Sequence, residues 1–279
     1  MMKLKRFLSG LILSTAAAIA PVHAAPILSD IVFVVDESGS MGTVQANLRD
    51  NIGLFASILT GTGQVDARYG LVGYGDSAAV PRMVTDLTDP TSFATAAQGL
   101  KINGWIEPGY TATAFALNAL DGQNDLFSFR SNAVKNIIIL TDEPSNGDTV
   151  ARGSVGGQAV SESLLDGLLT ANNALYNGVL GPLYGTPASY TDLITNHGGT
   201  VFDLNLFNTS DQTIVQQFVT DFANKKLQET LDFCQLNPTH PACQPSASVP
   251  EPSSLALIGL GLLGIFTRYR RRPVASVAV

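Results

Sequence analysis

Between residues 29 and 230 the chain alternates nearly continuous apolar runs with stretches of helical spacing. "DIVFVVD" (30–36) and "KNIIILTDE" (135–143) are strands of the kind buried on both faces of a parallel sheet. "ARYGLVGYGD" reads as a third strand and "PRMVTDLTD" as a shorter one, with Pro81 suited to a sheet edge. Later strands are expected near "ALYNGVLG" and "TVFDLNL". Helices are predicted between them. "VQANLRDNIGLFASIL" sets Leu48, Ile52, Phe55 and Leu59 at helical spacing, and "TSFATAAQGLK", "TATAFALNALDG" and "SESLLDGLLTANNALY" follow. "DQTIVQQFVTDFANKKLQETL" closes the series as an amphipathic helix with Ile214, Val215, Phe218, Phe222 and Leu227 on one side. Alternating elements of this kind predict an α/β fold: a doubly wound, mostly parallel central sheet with helices on both faces.

The two ends read differently. Lys3, Lys5 and Arg6 precede the apolar "FLSGLILSTAAAIA", and "VHA" offers small residues for cleavage, so residues 1–24 are expected to be a signal peptide. Residues 231–248 hold Cys234 and Cys243, expected to close a small disulfide loop in an oxidising compartment, and a Pro/Ser linker. The loop is expected to stiffen a stalk outside the core. Beyond it, "VPEP", the apolar "LALIGLGLLGIF" and the basic "RYRRR" follow in order. This order resembles the PEP-CTERM sorting signal over residues 249–272. The resemblance implies processing by an exosortase-type enzyme and a C-terminal transmembrane helix that holds the chain at the membrane before processing.

Charge narrows the partners. Residues 25–248 carry nine basic and 22 acidic residues, a net of −13. Such a body repels nucleic acid and attracts divalent cations.

The chemistry converges on the ends of the two apolar runs. Ligands of doubly wound sheets sit at the carboxyl ends of the strands. There "DESGS" places Asp36, Ser38 and Ser40 at alternate positions, and Asp142 ends the later run. Oxygen donors of this kind suit Mg²⁺, or Mn²⁺ or Ca²⁺. With few direct carboxylates, the ion is left able to accept an acidic group from a partner.

Asp36-Glu37-Ser38-Gly39-Ser40 matches the DxSxS motif of von Willebrand factor A domains, and the resemblance extends over residues 29–230 through "YGLVGYGD", "IIILTDE" and "HGGTVFDL". It implies a metal-ion-dependent adhesion site. Ser38 and Ser40 would ligate the ion directly, with Asp36 and Asp142 acting through water or hydrogen bonds. For the remaining ligand, in "NGWIEPGYTATAFAL", the alternatives are Thr111, which is favoured, and Glu107.

No enzyme is expected. "ESGSMG" lacks the Gly-x-Ser-x-Gly elbow, no Walker-type loop is present, and the only histidines after residue 24 are His197 and His240. Trp105, beside the proposed site, is read as a core residue rather than a rim residue. The expected function is an exported, metal-dependent module at the cell surface or in the extracellular matrix. It would capture acidic groups of a protein or polysaccharide. The alternative is a structural matrix protein whose metal site only stabilises the fold.

Overall fold

The computed structural model describes residues 25–123 and 126–244. The expected signal peptide (1–24), the linker beyond Gln244 and the sorting segment (249–272) with its expected transmembrane helix lie outside the described residues. Among the described residues no helix is long and apolar enough to cross a membrane.

The apolar runs become strands where expected. β1 (Ile27–Asp36) pairs in parallel with β2 (Val65–Tyr74) on one side and with β4 (Ala133–Thr141) on the other. β7 (Leu175–Leu180) and β8 (Val201–Asp203) continue the parallel sheet, while β3 (Arg82–Thr88) pairs antiparallel to β2 and forms the opposite edge. The order is β3-β2-β1-β4-β7-β8. β1, β4 and β7 are central, and every residue from Ile31 to Val35 is buried, which is why those segments carry no polar alternation.

Two apolar layers sandwich the sheet. On one face pack α1 (Gly42–Thr60), α2 (Pro90–Ala96) and α6 (Gln212–Leu236), through Leu48, Phe55, Phe93, Phe218 and Phe222 against Phe33 and Leu140. On the other lie α3 (Gly109–Ala116), α4 (Glu162–Ala171) and α5 (Thr186–Asn196), through Ala112, Leu165, Leu169 and Tyr190 against Val34 and Ile139. Side-chain caps start three of these helices: Asp89 accepts from Thr91 and Ser92 backbone N–H, Ser161 from Leu164, and Asp211 from Thr213 and Ile214. Beneath the N-terminal end of β1, fully buried Asp30 accepts from the guanidinium groups of both Arg68 and Arg130. A two-strand hairpin, β5 (Ser154–Val155) and β6 (Gln158–Ala159), had no signature in the apolar pattern; its Gly156-Gly157 turn donates both N–H groups to Asp121.

The structure departs from the expected pattern in four places. α3 stops at Ala116 rather than running through "NALDG", because Asn118 takes a left-handed backbone (φ 58°). Ile214 is 42% exposed, so the buried stripe of α6 starts at Val215. Trp105 is 83% exposed: it belongs to the surface, not the core, since its neighbours are tied down by backbone contacts that leave its ring outside. The cysteine loop is docked rather than set apart as a stalk. Cys234 and Cys243 are bonded, and the loop returns Ala242 and Cys243 against Val134, Leu175 and Phe233, at the N-terminal ends of β4 and β7.

Candidate metal centre

Parallel pairing of β1 with β4 brings Asp36 beside Thr141, and Asp142 follows at once. Asp36 is fully buried and held from three sides. Its Oδ1 accepts from the Ser38 backbone N–H at 2.7 Å, its Oδ2 accepts from Thr141 Oγ1 at 3.0 Å, and its carbonyl accepts from Gln45 Nε2 at 3.0 Å. The Ser38 and Ser40 hydroxyl oxygens lie 3.0 Å apart, so the turn after β1 faces two hydroxyls the same way. Glu37, the intervening residue, turns toward Gly73 of β2. It pairs with Arg82 and accepts from the Lys101 N–H, in a space above Gly73 that a Cβ there would fill, 2.5 Å from Glu37 Cδ.

The segment after α2 is pulled over this turn. Gly104 N–H donates to the Glu37 carbonyl at 3.1 Å, and Gln45 Nε2 also donates to the Lys101 carbonyl. The crossing requires glycine: a Cβ on Gly104 would sit 1.3 Å from the Gly75 carbonyl oxygen. Gly75 itself has φ +80°, a region that disfavours other residues. The crossing delivers Glu107 to the centre. Glu107, Asp36 and Asp142 each present a carboxylate oxygen, all within 4.8 Å of one another.

Two of these oxygens, Glu107 Oε2 and Asp142 Oδ1, are buried without a hydrogen-bond partner. Burial pushes Asp36 up to about 7 against the opposing hydrogen bonds from Ser38, with the Asp142 charge adding to the rise. Burial raises Glu107 further, to about 9, helped by the charges of Asp36, Glu143 and Asp142. Like charges this close repel by roughly 3 kcal/mol per pair at an effective dielectric constant of about 20. The centre therefore holds either protons or a cation. An all-oxygen set of carboxylates and hydroxyls fits a hard divalent ion.

Thr111 takes another role. It is fully buried in the first turn of α3, and both its N–H and its Oγ1 donate to Asp148 Oδ1, at 2.8 and 2.7 Å. Asp148 Oδ2 accepts from Ser145, whose hydroxyl in turn accepts from the Tyr110 N–H. Of the two alternatives from sequence, Glu107 lies with the carboxylates, and Thr111 bonds the loop after β4. Asp148 has no periodic or motif signal that would mark it. Neither do Tyr74 and Tyr190, whose buried hydroxyls lack partners. The Tyr190 ring fills the place where a Cβ on Gly109 would stand, 2.1 Å from its oxygen. His197 bonds Asp166 at 2.9 Å, and His240 packs on Phe233 within the cysteine loop.

A mostly parallel sheet whose first strand ends in Asp-x-Ser-x-Ser, beside a second aspartate on the neighbouring strand, defines the von Willebrand factor A class of domain. The family model for the von Willebrand factor type A domain matches residues 30–161, and that for the PEP-CTERM protein-sorting motif matches residues 248–272. This chain carries a von Willebrand factor type A domain followed by a PEP-CTERM sorting motif. The domain supports an adhesion or protein-interaction module, and PEP-CTERM signals mark exported proteins and imply exosortase processing. No curated protein matches the chain. Among solved structures, the D319A mutant of the PilB minor pilin from Streptococcus sanguinis is similar with a TM-score of 0.47 and 12% identity, over 75% of this chain and 64% of that chain. This chain thus spans less than two thirds of that structure's length.

Proposed function

We propose that the chain is a surface or matrix adhesion module that binds an acidic partner through a divalent cation, with magnesium as the ion. The observation that carries this reading is the convergence of Asp36, Glu107 and Asp142 with two buried, unpartnered carboxylate oxygens. Ser38 and Ser40 would offer hydroxyl oxygens from the turn, and Asp36, fixed by Ser38 and Thr141, would hold that turn in place. Glu107 and Asp142 would supply the neutralising charge. When bound, the ion acts as a Lewis acid toward a carboxylate oxygen of a protein or polysaccharide partner. The chain's own residues do the rest: Gln45 and the Gly104–Gly75 crossing keep the loops together, and the burial of Asp36 and Glu107 limits how much water competes.

Calorimetric titration of the full chain with magnesium and manganese tests the reading, with Ser38→Ala as the paired variant. Saturable binding that the variant loses is expected. Heat of binding identical in the two proteins would rule out the serine turn as part of the site. Partner capture that survives a chelator would rule out the cation's role in adhesion and leave the ion as a stabiliser of the fold.

A further inference from the structure

The buried stripe of α6 is interrupted by charge. After Val215, Phe218, Val219, Phe222 and Ala223, the next inward residue is Lys226, with no exposed surface. Its Nζ lies 2.6 Å from Asn136 Oδ1, on the central strand β4, and 2.7 Å from Glu229 Oε2, one turn along the same helix. Asn136 is fully buried, Glu229 is 5% exposed, and the amide Nδ2 of Asn136 has no hydrogen-bond partner. Thr200 Oγ1 donates to the other Glu229 oxygen at 2.7 Å, which fixes the carboxyl group against the amine. Phe222 lies one turn before Lys226 and Phe233 two turns after, and Leu175 of β7 is buried alongside. Three reactive groups thus share one buried cluster: an amine, a carboxamide and a carboxyl group touching the amine.

The buried ammonium carries three donors, and Asn136 Oδ1 and Glu229 Oε2 accept from it. Ion pairs in such places cost desolvation, and hydrophobic replacements are often at least as stable. Burial works to lower the Lys226 pKa while the Glu229 charge works to raise it, and the net direction is down, toward the nucleophilic free amine.

We propose that Lys226 and Asn136 form an intramolecular isopeptide bond, with Glu229 as the catalytic proton carrier. Glu229 first accepts a proton from the Lys226 ammonium, leaving a neutral amine. The Nζ lone pair attacks Cγ of Asn136, one bond from the oxygen it already contacts. A second proton passes from Nζ through the Glu229 carboxyl group to Nδ2. The Cγ–Nδ2 bond breaks and ammonia leaves. The products are one secondary amide and one ammonia, and no oxidant, reductant or co-reactant is consumed. Glu229 also borders a groove of about 410 Å³ with Leu175, Thr200 and Phe233, and the ammonia would leave past Glu229 into it. The bond would join the last helix directly to the central strand.

Peptide mapping by tandem mass spectrometry of the purified full chain tests this. The expected result is a branched peptide in which the Lys226 amine is linked to the side chain at position 136, lighter than its two parents by one ammonia. Digests that contain only linear peptides, with Asn136 and Lys226 intact, would overturn the proposal and leave an ion pair. Glu229→Gln keeps the shape of the pocket and should give linear peptides only, with circular dichroism verifying that it folds. A branched peptide at full yield in that variant would overturn the role of Glu229. Asn136→Asp offers water instead of ammonia as the leaving group, and its product is expected to match the mass of the wild-type branched peptide.

Discussion

Glu107→Gln is expected to have opposite effects on stability with and without a divalent ion. The Glu107 side chain is 2% exposed and close to two other carboxylates, and burial together with those charges raises its pKa from 4.5 to about 9. The folded chain therefore keeps a proton that the unfolded chain gives up. The stability that Glu107 contributes is fully present below pH 4.5 and is lost as the pH rises toward 9. At about 1.4 kcal/mol per pH unit, the loss between pH 5 and pH 8 comes to about 4 kcal/mol in the metal-free protein. Asp36, raised to about 7, contributes in the same direction. That is a large share of the total stability of a typical domain, about 5–15 kcal/mol. Glutamine keeps the shape and removes the charge, so the variant should show a clearly shallower loss over the same range. Urea denaturation in chelator at several pH values, followed by circular dichroism, measures both slopes. With saturating magnesium the order should reverse, because the wild type gains binding energy that the variant has forfeited. Equal slopes for the two metal-free proteins would refute the reasoning, since the charge at Glu107 would then not be a buried one.

Three further outcomes follow from the same structure. Gly104→Ala would force its Cβ onto the Gly75 carbonyl; a loss of about 3 kcal/mol or more is expected in chemical denaturation, together with weaker magnesium binding. Reducing the Cys234–Cys243 bond opens a short loop and should lower stability by about 2–3 kcal/mol, while the magnesium titration stays unchanged because the loop packs at the other end of the strands. Asp148→Ala removes the acceptor of both Thr111 donors and leaves them buried, so the melting temperature should fall by an amount equivalent to about 1–3 kcal/mol.

The sheet and most helices were legible because burial on both faces leaves its mark residue by residue. Ile31–Val35 and Ile137–Leu140 cannot be read as anything amphipathic, and Asp89, Ser161 and Asp211 stand where helix starts need an acceptor. The serine turn was legible for the same local reason: its spacing is written in five consecutive residues. The surroundings of Thr111 and Glu107 were not. They depend on Asp148, 37 residues beyond Thr111, reaching back to accept from the threonine hydroxyl, and on two glycines letting the chain cross at Glu37. Trp105 was misjudged because large aromatic residues usually gain from burial, whereas the backbone pairing of Gly104 fixes the path of the chain and turns that ring outward. Lys226 was hidden by its own charge. A lysine two residues before a polar stretch of helix reads as surface, and only the position of Asn136 on the sheet reveals it as interior.

The docked cysteine loop fixes where the described chain leaves the domain. It returns the chain to the start of β4 and β7, and Gln244 leaves from there, whereas Asp36 and Asp142 close the far ends of the neighbouring strands. A strand of nine residues spans about 30 Å. The described chain therefore ends at the opposite pole from the carboxylates, with the length of the sheet between its last residue and the cluster.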